Sequence, residues 1–288
     1  MTILDGKALS NKVKQEIKLK TKELKKEGIV PGLAVILVGD DPASKTYVAS
    51  KEKSCIEAGI YSEKITMNID ATEERLLDRI EKLNADNSIH GILVQLPLPD
   101  HIDTNKVLEA IDPKKDVDGF HVFNVGQLVT GKQSLVPCTP LGVMRILKEY
   151  AINPTGMDAC IVGVSNIVGK PMMNLLINAR ATVTVCHSKT KDLKDKTSRA
   201  DLLIVGVGIP HMIKEDMVKD GAVVIDVGIN RMTWGKYEGK LVGDVDYENV
   251  ASKCSHITPV PGGVGPMTIA MLLTNTLTAA KSIEKSKQ

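Results

Sequence analysis

Residues 161–179 read IVGVSNIVGKPMMNLLINA. An apolar run ends at Gly163, a second glycine follows at Gly169, and Pro171 stands in the first turn of a helix-like segment. A helix N-terminus set after a tight turn presents unpaired N–H groups and the positive end of the backbone dipole, which suits phosphate. Two familiar loops do not fit. GxxxxGK[ST] fails because five residues separate Gly163 from Gly169 and Pro171 follows Lys170; GxGxxG fails because Ser165 and Asn166 occupy the surroundings of its second glycine. A plain strand-to-helix turn is the alternative to a dinucleotide loop.

Around this stretch lie other apolar runs: LAVILVG (33–39), GILVQLPLP (91–99), TVTVC (182–186), ADLLIVGVG (200–208) and AVVIDVGI (222–229). They are nearly continuous rather than alternating, the pattern of strands covered on both faces of a parallel sheet. Helix-like segments alternate with them. Leu9, Val13, Ile17 and Leu24 give residues 6–27 one apolar face, and Thr72 with glutamates in the first turn opens a second helix over 72–84. The predicted class is α/β, with an N-terminal α/β domain and a Rossmann-type dinucleotide-binding domain. The boundaries are placed at 1–139, completed by a C-terminal helix over 266–288, and at 140–265. Thr139-Pro140 reads as an N-cap and first helical residue.

The second strand of the βαβ series bears on cofactor choice. NAD sites place an acid at its end to hold the ribose 2′-OH. Here TVTVC runs into His187-Ser188-Lys189-Thr190, with no carboxylate before Asp192. A hydroxyl and a cation suit a 2′-phosphate, so NADP is favoured over NAD; the plainer reading makes His187 and Lys189 ordinary loop residues.

Composition excludes several classes. With 288 residues, 43% hydrophobic and 25% charged, the chain can bury a core without staples. A net charge of +2 gives no basic field for nucleic acid. Five cysteines without a CxxC pair argue against a disulfide framework or zinc, and Cys160 and Cys186 read as small core hydrophobes. The histidines show no metal-ligand spacing, so no metal is expected. No run of 18 apolar residues and no signal-type start are present, so no membrane span and a cytoplasmic location are expected.

Polar residues in apolar surroundings mark the remaining candidates. Gln95 interrupts GILVQLPLP near the carboxyl end of a strand, where open α/β sheets bind ligands. Asp116 and Asp118 precede Gly119, which by itself reads as a turn. PVPGGVGPMT (259–268) packs three glycines and three prolines into ten residues and can bring backbone close to a flat ligand. In SKTYVASK (44–51), Tyr47 and Lys51 share one face if the segment is helical. Short-chain dehydrogenases use YxxxK, but downstream of their glycine loop; here it lies more than a hundred residues upstream.

Taken together, SKTYVASK, VQLPLP, KDVDGF, PCTP, GVSNIVGKP, TVCHSKT, IDVGIN, GDVD and PVPGGVGPMT resemble, in order and over essentially the whole chain, the bifunctional methylenetetrahydrofolate dehydrogenase/methenyltetrahydrofolate cyclohydrolase family. The resemblance implies a homodimer acting on tetrahydrofolate one-carbon derivatives, with folate in a cleft between the two domains facing the nicotinamide of NADP. It implies that Tyr47 stacks on the aminobenzoate ring, Lys51 is the main catalytic group, Gln95 tunes it and Asp118 anchors the pterin. Leu96, Pro261, Gly262 and Gly263, with Pro266, would line the folate side. Thr139, Gly163, Val164, Ser165 and Ser188 would meet the nucleotide, and Gly228 with Ile229 the nicotinamide. Some members carry Arg where this chain has Val164, which leaves 2′-phosphate recognition to Ser188 and Lys189. A dehydrogenase lacking the hydrolase step and a non-catalytic nucleotide-sensing module are the rival readings.

Overall fold

A two-residue strand β1 (Thr2–Ile3) and helix α1 (Gly6–Lys26) open the chain in the computed structural model, which describes residues 1–132, 134–233 and 235–287. The chain divides into two units, Asn11–Cys138 with Ile269–Gln288, and Met1–Ser10 with Thr139–Thr268.

In the first unit, β2 (Gly32–Val38) lies between β3 (Tyr61–Met67) and β4 (Gly91–Val94) in a parallel three-stranded sheet. Every residue of β2 is buried, as its unbroken apolar run requires. Helix α2 (Pro42–Ala58) connects β2 to β3, and α3 (Glu73–Ala85) connects β3 to β4. Thr72 caps α3, its Oγ1 accepting from the Arg75 N–H at 3.3 Å. Leu76, Ile80 and Leu83, one face of α3, pack with Ile36, Ile89 and Ile92 in the core. Each such side chain contributes about 1.5–3 kcal/mol by leaving water. Two short helices follow, α4 (Thr104–Glu109) and α5 (Val122–Val129).

The second unit contains α6 (Cys138–Glu149), β5 (Asp158–Val162), α7 (Gly169–Asn178), β6 (Thr182–Cys186), α8 (Leu193–Thr197), β7 (Leu202–Val205) and β8 (Val223–Asp226). A small hairpin of β9 (Asn230–Arg231) and β10 (Leu241–Val242) follows, then α9 (Tyr247–Val250), β11 (His256–Ile257) and α10 (Val264–Lys285). Six strands form a parallel sheet in the order β1-β11-β8-β7-β5-β6. The topology reverses at β5, and the glycine loop leaves the carboxyl end of that strand, where this class of sheet binds ligands.

The observed division differs from the expected boundaries at both chain ends. Residues 1–10 group with the nucleotide-type unit because Thr2 and Ile3 pair in parallel with His256 and Ile257. Helix α10 starts two residues before Pro266; its first turn belongs to the nucleotide-type unit and the remainder, from Ile269, to the other. Gln288, the last residue of the expected helix, lies outside the described residues. Thr139 is not an N-cap, since α6 already begins at Cys138; its Oγ1 instead pairs with Thr268 Oγ1 at 2.9 Å. All five cysteines are free and buried, with the Cys160 and Cys186 sulfurs 3.8 Å apart. Among the described residues no helix is long and apolar enough to cross a membrane, and no cluster of His, Cys, Asp or Glu could hold a metal ion.

Candidate active site

Helix α2 starts firmly. Asp41 caps it by accepting from the Ser44 N–H at 2.7 Å, Pro42 occupies the first turn, and Gly59 ends it at φ 76°. Tyr47 and Lys51 therefore stand one turn apart on one face. The Tyr47 ring is half exposed, at 48%.

Beyond the end of β4, the Gln95 N–H continues the ladder to Ile36 O at 2.8 Å, which fixes the side chain's origin. Lys51 Nζ donates to Gln95 Oε1 at 2.9 Å, while Gln95 Nε2 donates to Leu96 O at 2.6 Å. Both ends of the amide are committed, so its oxygen is held toward the amine. Leu96 is partly buried, and its bond to Pro97 is cis.

Asp118 arrives on a loop fixed from two sides. Buried Asp116 accepts from the N–H groups of Gly119 (3.1 Å) and His121 (2.9 Å) and from Asn124 Nδ2 (2.9 Å). Asn275, buried on α10, donates to the carbonyls of Val117 (2.8 Å) and Val136 (2.9 Å). Burial pushes the Asp118 carboxyl up to about 6; the Lys51 charge pulls it down and Asp116 adds a smaller push upward. The thiols nearby are not nucleophiles. Burial raises Cys55 to about 12 and Cys138 well above the usual thiol range. An amine, an orienting amide and a carboxyl group of displaced acidity thus meet in the first unit, an arrangement suited to moving protons and anchoring a polar heterocycle.

In the nucleotide-type unit the chain turns sharply after β5. Gly163 has φ 123°, and a Cβ there would overlap the Gly206 carbonyl; a Cβ on Gly169 would overlap the carbonyl of Gly163. No side chain caps α7, although the Lys170 N–H in its first turn is held by the Ser165 carbonyl at 3.1 Å, and Val164 and Ser165 are exposed at its mouth. Ser165 Oγ accepts from the Val168 N–H at 3.1 Å. After β6, Ser188 is exposed in a turn held by the His187 N–H to Thr190 Oγ1 (2.9 Å) and the Lys189 N–H to His187 Nδ1 (3.1 Å). Gly228 is buried after β8, whereas Ile229 is exposed beside it. The Val260–Pro261 bond is cis, Gly262 has φ 106°, and the Gly262 carbonyl accepts from the Lys7 N–H at 2.8 Å. Gly263 is packed so closely on Gly6 that a Cβ on Gly6 would overlap its carbonyl.

The structure thus brings Lys51, Gln95, Leu96 and Asp118 together with Tyr47 one turn away, and places Thr139, Gly163, Val164, Ser165, Ser188, Gly228, Ile229, Pro261, Gly262 and Gly263 in the other unit. Sequence reasoning missed Asn275, although a lone amide in the apolar run MLLTNTLTAA carries the same signal as Gln95. It also missed Asp226 and Asp244. Asp226 accepts from the N–H groups of Gly228 (2.9 Å), Asp244 (3.1 Å) and Val245 (2.8 Å). Burial pushes its carboxyl up to about 7, against the pull of those three N–H groups and with a further push from Asp244.

Two family models match the chain. The tetrahydrofolate dehydrogenase/cyclohydrolase catalytic domain matches residues 4–118, and the NAD(P)-binding domain of the same family matches residues 137–284. The bifunctional protein FolD of Campylobacter concisus is 63% identical over 98% of this chain and 98% of its own. The crystal structure of the bifunctional FolD enzyme from Campylobacter jejuni is 58% identical, covers 98% of this chain and 99% of that one, and superposes with a TM-score of 0.96. The Trypanosoma brucei dehydrogenase-cyclohydrolase, solved with NADP cofactor and an inhibitor, is 36% identical with a TM-score of 0.93, over 99% of each chain.

Proposed function

Because this chain belongs to the tetrahydrofolate dehydrogenase/cyclohydrolase family, we propose that Lys51, Gln95 and Asp118 are where it works on the folate one-carbon unit. The chain oxidises 5,10-methylenetetrahydrofolate to the 5,10-methenyl form with NADP and hydrolyses that product to 10-formyltetrahydrofolate. The observation that carries the assignment is the 2.9 Å bond from Lys51 Nζ to Gln95 Oε1, with the Asp118 carboxyl in the field of the same amine.

The two reactions ask different things of these residues. When hydride leaves the methylene carbon, the positive charge spreads over N5 and N10, so the folate stabilises itself and the protein supplies orientation. Asp118, ionised above a pH of about 6, accepts N–H bonds from the pterin's amino and ring nitrogens as a charge-assisted pair. The half-exposed Tyr47 ring offers a face to the aminobenzoate. Hydrolysis adds water to the methenyl carbon, breaks the bond from that carbon to N5, and leaves a proton on N5. Lys51 is the group that moves protons between the attacking water and the substrate nitrogen. Gln95 holds the amine by one N–H without adding charge, which leaves its other positions to water and substrate.

The nucleotide-type unit has the features a dinucleotide needs: the tight Gly163 turn, the uncapped start of α7, and exposed Ser188 at the end of the second strand. NADP, when bound, supplies the hydride acceptor. Gly163, Val164 and Ser165 would hold its phosphates or ribose and Ser188 its 2′-phosphate, with Thr139 beside them. Gly228 and Ile229 would meet the nicotinamide, and Pro261, Gly262 and Gly263 would serve the folate side. Buried, unpaired thiols suit the reducing cytoplasm, and the family resemblance supports a homodimer, which light scattering of the purified protein tests.

The deciding experiment is Lys51→Met. Hydrolysis of methenyltetrahydrofolate should be nearly abolished while NADP binding, followed by calorimetry, stays as in wild type. Hydrolysis at the wild-type rate would remove Lys51 from the mechanism.

A further inference from the structure

The acids of two family-like segments, Asp226 of IDVGI (225–229) and Asp244 of GDVD (243–246), have no role in the reading so far. The structure locks them together. A Cβ on Gly228 would overlap the Asp244 carboxyl group, and a Cβ on Gly243 would overlap the carboxyl group of Asp226. Each segment's acid thus occupies the space left bare by the other's glycine. Both acids are buried, Asp226 at 3% and Asp244 at 0% exposure.

The hydrogen bonds run outward from this reciprocal contact to the ends of the central strands. Asp244 Oδ2 accepts from the N–H groups of Val207 (2.6 Å) and Gly208 (3.0 Å), just past β7. Its Oδ1 accepts from Asn230 Nδ2 at 2.8 Å, at the start of β9. Asp226 gathers Gly228, Asp244 and Val245, and its own N–H is held by Thr258 Oγ1 at 2.7 Å. The short loop Val227–Asn230 is therefore tied at Gly228 by one acid and at Asn230 by the other, and Gly228 sits in contact with the second.

We propose that Asp244, acting with Asp226, is a positioning residue for hydride transfer: it sets the height and tilt of the Val227–Asn230 loop against which the nicotinamide lies. The proposal rests on the assignment of Gly228 and Ile229 to the nicotinamide side. Hydride transfer is sensitive to placement, since a displacement of about 1 Å at the reacting atoms can lower the rate by about 100-fold. Asp244 serves this role in a way an amide cannot. Every contact made by its two oxygens is with a donor, so Asp244→Asn would turn an NH₂ group onto either the Val207 and Gly208 N–H groups or Asn230 Nδ2. Turning Asn230 over to compensate would set its oxygen against the Val242 carbonyl that its nitrogen now faces at 3.4 Å.

Three variants of the full-length protein test this, each assayed for NADP-linked oxidation of methylenetetrahydrofolate, for NADP affinity by calorimetry, and for hydrolysis of methenyltetrahydrofolate without nucleotide. Asp244→Asn should lower the dehydrogenase kcat by about 10- to 100-fold, change NADP affinity by less than about 3-fold because the phosphate and 2′ contacts are elsewhere, and leave hydrolysis within about 2-fold of wild type. Where Asp244→Asn does not fold, Asn230→Ala, which deletes a single donor, decides by the same pattern with a smaller loss. Dehydrogenase and hydrolase falling in parallel would show a merely structural role and overturn the proposal, as would an unchanged kcat. Ile229→Ala separates the proposal from its premise. An unchanged dehydrogenase in Ile229→Ala would overturn the nicotinamide placement and the proposal with it; a loss there with an unaffected Asp244→Asn would overturn the proposal alone.

Discussion

Replacing Asp118 by Asn should make the ligand-free protein more stable while impairing its work. The native carboxyl is pushed from 3.8 up to about 6, chiefly by burial. The folded state therefore holds its proton more tightly than the unfolded chain does. Stability then falls as pH rises from the unfolded value toward about 6, and above that the ionised carboxylate weighs against the fold. The move from 3.8 to about 6 sets a ceiling of about 3 kcal/mol. The side chain keeps some accessible surface, which brings the expected gain to about 1–3 kcal/mol. Asn has nearly the same shape and no charge. Denaturant unfolding at pH 8 should show Asp118→Asn more stable by that amount, and at pH 4.5 the difference should shrink to about a third of it. The same change removes a charge-assisted pair to the pterin, so KM for the folate should rise by about 10- to 1000-fold. A variant no more stable than wild type at pH 8, or a stability difference that does not change with pH, would refute the reasoning.

Gly163→Ala should weaken NADP binding by more than about 10-fold and destabilise the fold by about 1–3 kcal/mol, because φ 123° and the Gly206 carbonyl leave no place for a methyl group; calorimetry and unfolding curves check both. Ser188→Asp should weaken NADP more than NAD by charge repulsion, and equal effects would show that residue 188 does not face the 2′ position. Asn275→Ala strips donors from the Val117 and Val136 carbonyls and should cost about 1–3 kcal/mol. It should also raise KM for the folate as the Asp118 loop relaxes, with NADP affinity unchanged.

The buried parallel strands were legible because each announces itself locally. The runs at β2, β5, β7 and β8 contain enough consecutive apolar residues to require cover on both faces, whereas β6, expected to be covered in the same way, alternates threonine with valine and lies at the edge of its sheet with Thr182 and Thr184 exposed. Strand β3 escaped because YSEKITM mixes charge with apolar residues, as an edge strand open to solvent does. β1 could not be read at all: two exposed residues become a strand only through partners near the far end of the chain. The site divided in the same way. Lys51 and Gln95 were candidates by residue type and surroundings, whereas Asp226 and Asp244, each followed closely or preceded by glycine, look like turn formers until their N–H partners are seen. Asp118 falls between: its turn-like sequence was ambiguous, and only burial beside Lys51 gives its acidity a functional meaning.

The pairing of Thr2 with His256 has a consequence for how the molecule is made. The strand at one edge of the six-stranded sheet is synthesised roughly 250 residues ahead of the neighbour it pairs with. At typical synthesis rates that is on the order of ten seconds or more during which the leading residues have nowhere to dock. The last twenty or so residues are likewise owed to the unit whose strands emerged first. Neither unit can be completed until the residues around His256 and beyond Ile269 have been made, so a ribosome stalled near residue 140 would hold one unit still lacking its closing helix and of the other little more than its first strand.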